Sequence, residues 1–470
     1  MTNIKDILNK NSHFNIIQRI GSLGDEMNIS SYLVGGYVRD SLLGKELIDI
    51  DIMVNKESLL FSKELSKKLN VNKTVDFEKF LTSRIPYNEC EIEVANARTE
   101  SYDNKSRKPD KAKETTIEND LIRRDFTINA LAVSLNNSNF GELIDPFNGI
   151  SDLNNSIIKT PSNPDITFKD DPLRMLRAIR FATQLEFKID PDVKKSIKKN
   201  KKRLTIVSSE RITAEIIKIL KCKKPSTGFY LLKEFDMLDL VFPELNVMSG
   251  IEIIDNKGHK DVFIHTLEVV DNAAELSNKM EIRFAALVHD IAKPNTKRFD
   301  NKKGWTFHGH DEIGKRMLIK VAKRMKLSNE LRDYLMLLTK LHLRPIALAK
   351  KDISDSAIRR LMFEAEEHID DLMILCRADI TTKNRKKIKK YMDNFERVEQ
   401  LMGDVAMRDE MKTFKSPIDG NEIMKKLKIK EGKSVGLIKT EIENAILDEV
   451  IPNTYESAFN YMMKIKKKYL

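Results

Sequence analysis

Cysteine is scarce. Cys90, Cys222 and Cys376 are the only three in 470 residues. They are too few and too widely spaced for a disulfide framework or a zinc knuckle, so a reducing compartment is expected. Long apolar runs are missing as well: no stretch reaches bilayer-spanning length, and the opening MTNIKDILNKNSHF lacks the apolar core of a signal peptide. A soluble, cytoplasmic protein without a membrane partner is therefore expected. No sustained repeat or long low-complexity linker breaks the chain. Acidic residues are outnumbered, 71 against 82 basic ones, for a net charge of +11. That balance favours a polyanionic partner such as nucleic acid. At about 100–200 residues per domain, the length allows roughly three domains.

The most informative stretch is residues 33–54, LVGGYVRDSLLGKELIDIDIMV. Ile48, Ile50 and Ile52 alternate with Asp49 and Asp51, a strand pattern that sends both carboxylates off one face. Like charges that close repel, and two hard divalent cations held by oxygen ligands would resolve the conflict. Gly35 and Gly36 precede a short helical piece, YVRDSLLG, and glycine lets backbone N–H groups approach a phosphate. A nucleoside triphosphate held on metal fits these parts; an exposed acidic turn beside a glycine hairpin is the competing reading. Further on, ECEIEVANAR reads as a strand in which Glu93 is a candidate third carboxylate. Residues 103–114, DNKSRKPDKAKE, read as a mobile polar loop.

Residues 117–134, IENDLIRRDFTINALAVS, place Arg123, Arg124 and Asp125 before a helix expected near Phe126. The arginines suit phosphate oxygens and Asp125 suits a helix cap. In residues 165–188, DITFKDDPLRMLRAIRFATQLEFK, Pro172 fits a first helical position with Asp171 at the cap. Arg174, Arg177 and Arg180 then form a stripe without compensating acids nearby, which suggests phosphate or base contacts; snorkelling surface arginines are the alternative. A lysine-rich run follows, offering Lys198, Lys199, Lys201, Lys202 and Arg203 to RNA. Six of the eight histidines lie between positions 259 and 342. His265, His289, Asp290, His310, His342 and Asp379 sit on successive helical segments, as a metal site inside a helical bundle requires. The basic tail reads as helical, punctuated by Gly432 and Gly436.

In order, GGYVRD, DIDIMV, RRDFTINALA, DPFNGISDL, FKDDPLRMLRAIRFA and SSERITAEI resemble the motifs of the bacterial and eukaryotic class of tRNA nucleotidyltransferases, the CCA-adding enzymes of the poly(A) polymerase family. The resemblance covers about the first 225 residues, and the His/Asp set beyond it resembles an HD domain. It implies an α+β protein: a polymerase-β-like nucleotidyltransferase head, a small mixed sheet with helices, followed by an all-helical neck, HD-type body and tail. The corresponding spans are 1–155, 156–225, 226–400 and 401–470.

By that resemblance Asp49 and Asp51 hold two Mg2+ ions, and Gly35 and Gly36 meet phosphate. Arg124 and Asp125 select the ribose and nucleotide, and Asp171 and Arg174 read the incoming base. Glu210 and Arg211 support the reading helix. Arg39, Asn129, Arg177 and Arg180 complete the candidate nucleotide-binding set. Where the family often has Glu before the reading Asp, this chain has Asp170, one methylene shorter. The implied activity is template-independent addition of C, C and A to tRNA from CTP and ATP. Cytosine and adenine both offer a ring-nitrogen acceptor beside an amino donor, whereas uracil and guanine invert that pattern. One Asp–Arg pair at positions i and i+3 of a helix face could therefore accept two bases and refuse two. A divalent transition metal in the body and a second, phosphohydrolase activity there are further expectations. The alternatives are a poly(A) polymerase, a partial A-only or C-only enzyme, or an HD phosphohydrolase with an RNA-binding head.

Overall fold

The computed structural model describes residues 2–102, 109–255, 257–348, 354–409 and 416–470. They divide into two compact units, 1–243 and 244–470.

In the first unit the helices Lys5–Leu8 and Phe14–Met27 lead into a mixed sheet. Its strands are β1 (Ser31–Val34), β2 (Ile50–Val54), β3 (Val75–Phe77), β4 (Thr82–Tyr87), β5 (Cys90–Asn96), β8 (Ala132–Ser134) and β9 (Leu143–Ile144), and β6 (Arg98–Tyr102) and β7 (Pro109–Glu114) form a separate hairpin. The sheet order is β3-β4-β5-β2-β1-β8-β9, with β2 and β5 parallel and the other neighbours antiparallel. Alternation makes one face apolar: Leu33, Ile50, Ile52, Ile92 and Val94 bury against Ile17, Ile20, Phe61 and Leu65 of the helices Phe14–Met27 and Ser58–Lys68. The opposite edge of that alternation carries Asp51 and Glu93, which are register partners.

Residues 103–108 of the expected loop lie outside the described residues. Residues 109–114 are a strand rather than loop, because Arg98–Tyr102 supplies an antiparallel ladder that satisfies the backbone despite an unpromising composition. No helix starts near Phe126; a single 3-10 turn, Thr127–Asn129, leads straight into β8.

Beyond the sheet, the unit continues through the helices Pro164–Asp170, Leu173–Leu185, Pro191–Asn200, Ser209–Leu220 and Ser226–Glu234. The second unit packs Val262–Leu276, Met280–Val288, His310–Met325, Asn329–Leu341 and Ile369–Ala378, and then the long helix Arg385–Asp409. These parts are mostly helical, as expected, with short strand pairs added: Ile157–Ile158 beside Lys188–Ile189, Ile253–Ile254 beside Lys257–Gly258, and Arg298–Asp300 beside Gly304–Thr306. The tail helices Gly420–Leu427, Lys433–Leu447 and Tyr455–Tyr469 enclose a core of their own that includes Ile423, Ile438, Ile442 and Met462. Gly432 caps one of these helices, but Gly436 lies inside it and interrupts nothing. Among the described residues no helix is long and apolar enough to cross a membrane.

Candidate functional site

The head site starts where β1 ends. Leu33 is opposite Ile52, so the chain leaves β1 beside Asp51 and turns at Gly35. Gly35 has φ +69° and ψ −132°, a conformation that an L side chain resists. A Cβ there would stand 2.9 Å from Arg124 Nη1 and 3.6 Å from Asp51 Oδ2. Gly36 then opens the helix Gly36–Leu42. Asp51 is inside β2, whereas Asp49 sits just before it, exposed, its Oδ1 accepting from Glu91 N at 3.2 Å.

Asp49, Asp51, Asp171 and Arg174 all line one cavity of about 700 Å³. Burial, then the charge of Glu93, pushes Asp51 up to about 6, with Arg124 pulling the other way. A carboxylate crowded in this way, with oxygen donors beside it, fits a hard divalent cation. Glu93 is close to Asp51 but is committed to Arg84, whose Nε donates to it at 3.0 Å. Among the described residues, ligand atoms cluster tightly enough for three to share one ion only in the second unit.

The arginine stripe has acids after all, delivered from other elements. Asp125 Oδ2 accepts from Arg177 Nε at 2.7 Å, while its Oδ1 accepts from Phe126 N and from Asn129 Nδ2. Burial would raise Asp125, but Arg177, Asn129 and Arg174 outweigh it and hold the carboxyl at about 2. Asn129 Oδ1 in turn accepts from Arg39 Nη1 at 2.6 Å, and Arg39 is forked onto Asp40. Arg180 is buried and donates to Glu215 at 2.7 Å and to Gln184. Arg39, Arg177 and Arg180 also surround the Phe181 ring, at 5.0, 5.3 and 3.7 Å from its centre. Arg39, Arg177 and Arg180 thus brace the floor of the cavity; their charges are already matched. Arg174 differs: its guanidinium has no hydrogen-bond or ion-pair partner among the described residues.

Asp171 is not on the reading helix. It stands in extended conformation, φ −137°, at the break between Pro164–Asp170 and Leu173–Leu185. Its Oδ1 accepts from Leu173 N at 3.1 Å, which is the capping role, and Arg211 grips both oxygens, at 3.4 and 2.7 Å. Arg124 donates to Asp120 at 3.2 Å, as does Arg123. The RNA candidates are partly spent: Lys199 pairs with Asp165, Lys201 with Asp236, Lys198 lies over Phe235, and Arg203 donates to the Lys169 carbonyl. Lys202 is exposed.

In the second unit, His265, His289, Asp290, His310, His342 and Asp379 converge, with the imidazole Nε2 atoms turned inward. The opposite ring nitrogens are tied back: Nδ1 of His289, His310 and His342 lies 2.8, 2.7 and 2.7 Å from the carbonyls of Ala286, Phe307 and Thr339, and that of His265 lies 3.0 Å from Thr381 Oγ1. Such outer bonds fix the ring orientation that metal ligands need. His289 Nε2 and both Asp290 oxygens are buried with no hydrogen-bond partner among the described residues, although Lys293 Nζ lies 2.5 Å from Asp290 Oδ2 as an ion pair. Despite its burial, His289 is pushed up to about 10 by Asp290 and Asp379, while burial and His289 hold His342 near 4. Buried acids that draw a proton onto an imidazole are the donor set a divalent cation satisfies. A cavity of about 650 Å³ adjoins, lined by His265, Asp379, Lys293, Trp305, Phe307 and Tyr391.

Three contributors escaped the sequence reading. Asp120, buried beneath Arg123 and Arg124, had a signal in its i, i+3, i+4 spacing. Lys293 forms an ion pair with Asp290 one turn away. Glu215 had none, since its partner is 35 positions distant.

Family models match three regions: a poly A polymerase head domain over residues 31–159, a probable RNA and SrmB-binding site of polymerase A over 186–248, and an HD domain over 262–384. A multifunctional CCA protein of Shewanella frigidimarina is 36% identical over 322 residues, 66% of this chain and 73% of that protein. The chain belongs to the multifunctional CCA protein family. The family member from Tolumonas auensis is 33% identical over 74% of this chain and 83% of its own length. Among solved structures, a tRNA nucleotidyltransferase complexed with a primer tRNA and an incoming ATP analogue aligns at TM-score 0.59 and 25% identity, covering 81% of this chain and 99% of that one. A CCA-adding enzyme in its apo form aligns at TM-score 0.61 over 98% of this chain and 99% of the other; at 23% identity it speaks for the fold alone. The nucleotidyltransferase and HD families, whose models match residues 31–159 and 262–384, are metal-dependent.

Proposed function

We propose that this chain adds C, C and A to the 3′ end of tRNA from CTP and ATP in the cytoplasm, without a nucleic-acid template. The observation that carries the reading is the single cavity shared by Asp49, Asp51, Asp171 and Arg174. Asp49 and Asp51 would hold magnesium, which when bound would lower the pKa of the RNA 3′-hydroxyl and neutralise charge on the leaving pyrophosphate. Gly35 keeps side-chain bulk away from the triphosphate, and Arg124 faces it across that gap. Arg174, whose guanidinium has no hydrogen-bond partner among the described residues, donates to the ring nitrogen of C or A. Asp171 accepts from the exocyclic amine with lone pairs that Arg211 and Leu173 N orient. Uracil and guanine would set donor against donor, and a polar group left unpaired in a closed site is strongly rejected. Lys202 and the flanking basic residues meet the tRNA backbone. The work divides among a head (1–155), neck (156–225), body (226–400) and tail (401–470).

The test uses tRNA transcripts lacking CCA, CA or A. The full-length protein is expected to complete each one and stop; Asp49→Ala and Asp51→Ala should abolish incorporation of both nucleotides. A long A tail, or retained CTP and ATP incorporation in either variant, would overturn the reading.

The convergence of four imidazole Nε2 atoms on the buried carboxylates of Asp290 and Asp379 favours a second activity in the HD body, hydrolysis of a phosphate ester. The adjoining cavity offers Lys293 to phosphate and Trp305 and Tyr391 to an aromatic base. His289→Ala should remove hydrolysis and spare CCA addition; loss of both together would refute the separation.

A further inference from the structure

We infer that the cavity beside the HD cluster takes the phosphorylated end of a single-stranded RNA rather than a mononucleotide, with the strand trailing over a basic rim at residues 383–390. The inference rests on the reading of this body as a phosphate-ester hydrolase and names the class of its substrate.

The rim reads KNRKKIKK, and Lys383, Arg385, Lys386, Lys387, Lys389 and Lys390 are all exposed. No acid stands between Asp379 and Asp393 to offset them, and none of the six has an ion-pair partner among the described residues. The run lies beside the cavity, because Thr381 and Thr382 before it and Tyr391 and Phe395 after it are cavity walls. On the helix Arg385–Asp409, Lys387 shares a face with Tyr391 and Phe395, one and two turns further on, and Arg385 and Lys390 flank that face. Lys260, Lys293 and Lys303 bring three more cations to the cavity itself, which meets the histidine cluster at His265 and Asp379.

The competing reading is a solvated lysine-rich surface, ordinary in so basic a chain. The order of charge along the helix speaks against it. Cations fill the first two turns, whereas residues 391–405 carry Asp393, Glu396, Glu399 and Asp404 against Arg397 alone. The helix dipole favours the reverse order, and like charges one turn apart repel. A polyanion laid across the rim relieves both effects. A mononucleotide does not reach it: no rim cation lines the cavity, whose volume of about 650 Å³ already offers Lys293 to phosphate and Trp305 and Tyr391 to a base. A basic track leading to aromatic faces on which bases stack is how proteins hold single strands, since the rings need an unpaired base.

The test uses the full chain and octaribonucleotides ending in a thiophosphate, chosen to resist turnover. A 4-thiouridine beside that end is expected to crosslink to peptides carrying Trp305 or Tyr391. Four rim contacts, from Lys383, Arg385, Lys387 and Lys390, give log affinity a slope of about −2.8 against log salt, a fall of roughly 50-fold between 50 and 200 mM. Replacing all four by Gln, a good helix former, should flatten that slope by about 3 and leave 3′-AMP binding unchanged; circular dichroism checks the fold. Octamers carrying the thiophosphate at the 3′ or the 5′ end name the end that enters. Equal affinity for an octamer with neither, a parent-like slope in the fourfold variant, or crosslinks confined to residues 1–243 would overturn the inference. The outcomes stay separable from the hydrolysis reading. Octamer binding of this kind without hydrolysis would defeat only the hydrolase, whereas hydrolysis of 3′-AMP with no rim effect on the octamer would defeat only the strand.

Discussion

Replacing Gly35 by alanine tests the head site at its narrowest point. The methyl group meets two costs. One is conformational, since φ +69° with ψ −132° is a backbone that L residues rarely adopt, worth about 1–3 kcal/mol. The other is steric, a contact of 2.9 Å with Arg124 Nη1. The steric cost is the smaller, because that nitrogen ends a flexible side chain and can swing aside at the expense of its geometry toward Asp120. Strain of this size shows either as lost stability or, where the turn relaxes, as lost triphosphate affinity. Fully expressed in stability it lowers the head's thermal transition by roughly 3–9 °C. Fully expressed in affinity it costs about 5- to 150-fold. Calorimetric binding of CTP and ATP, combined with thermal unfolding followed by circular dichroism, measures both losses. Adding Arg124→Ala separates the two costs: if backbone strain dominates, the double variant is additive to within about 0.5 kcal/mol. Wild-type stability and affinity in Gly35→Ala, or their recovery on removing Arg124, would refute the reasoning.

Arg211→Ala should loosen Asp171 and cost about tenfold in kcat/KM for CTP and ATP, as expected for a half-exposed charge-assisted pair. Discrimination against UTP should weaken with it, and single-turnover incorporation of all four nucleotides would show unchanged selectivity if the pair does not orient the base reader. Asp125 contributes to acid stability: its folded value of about 2 lies below its ordinary 3.8, so its contribution is complete above about pH 4 and disappears as pH falls toward 2. The shift corresponds to about 2 kcal/mol. Urea unfolding at pH 5 and pH 3 should show Asp125→Asn with a shallower acid dependence than the parent; parallel curves would contradict the assignment.

What could be read from the sequence was whatever depended on local spacing. The strand Ile50–Val54, the helices on either side of it and the helical placement of the histidines follow from neighbours a few positions apart, whereas Ile48 and Asp49, expected in the same strand, lie just before it. What escaped depended on distant partners. The stripe at Arg174, Arg177 and Arg180 is one pattern in the sequence but three environments in the molecule. Arg177 meets Asp125 from 52 positions away and Arg180 meets Glu215 from 35, while Arg174 has no hydrogen-bond or ion-pair partner among the described residues. Periodicity shows that the three share a helix and says nothing about what packs against it. The strand at 109–114 was hidden for the same reason, because its order comes from pairing and not from its own composition. Asp171 and Arg174 were expected on one helical face; they share a cavity, but the extended backbone of Asp171 places the aspartate between two helices and outside the one that carries Arg174.

Trp305, on the short hairpin beside the HD cavity, is the only tryptophan in the chain. Its fluorescence therefore reports on the second unit alone, with no labelling chemistry and no background from the head. Emission can track loading or unfolding of the histidine-rich half while tRNA and nucleotides occupy the other.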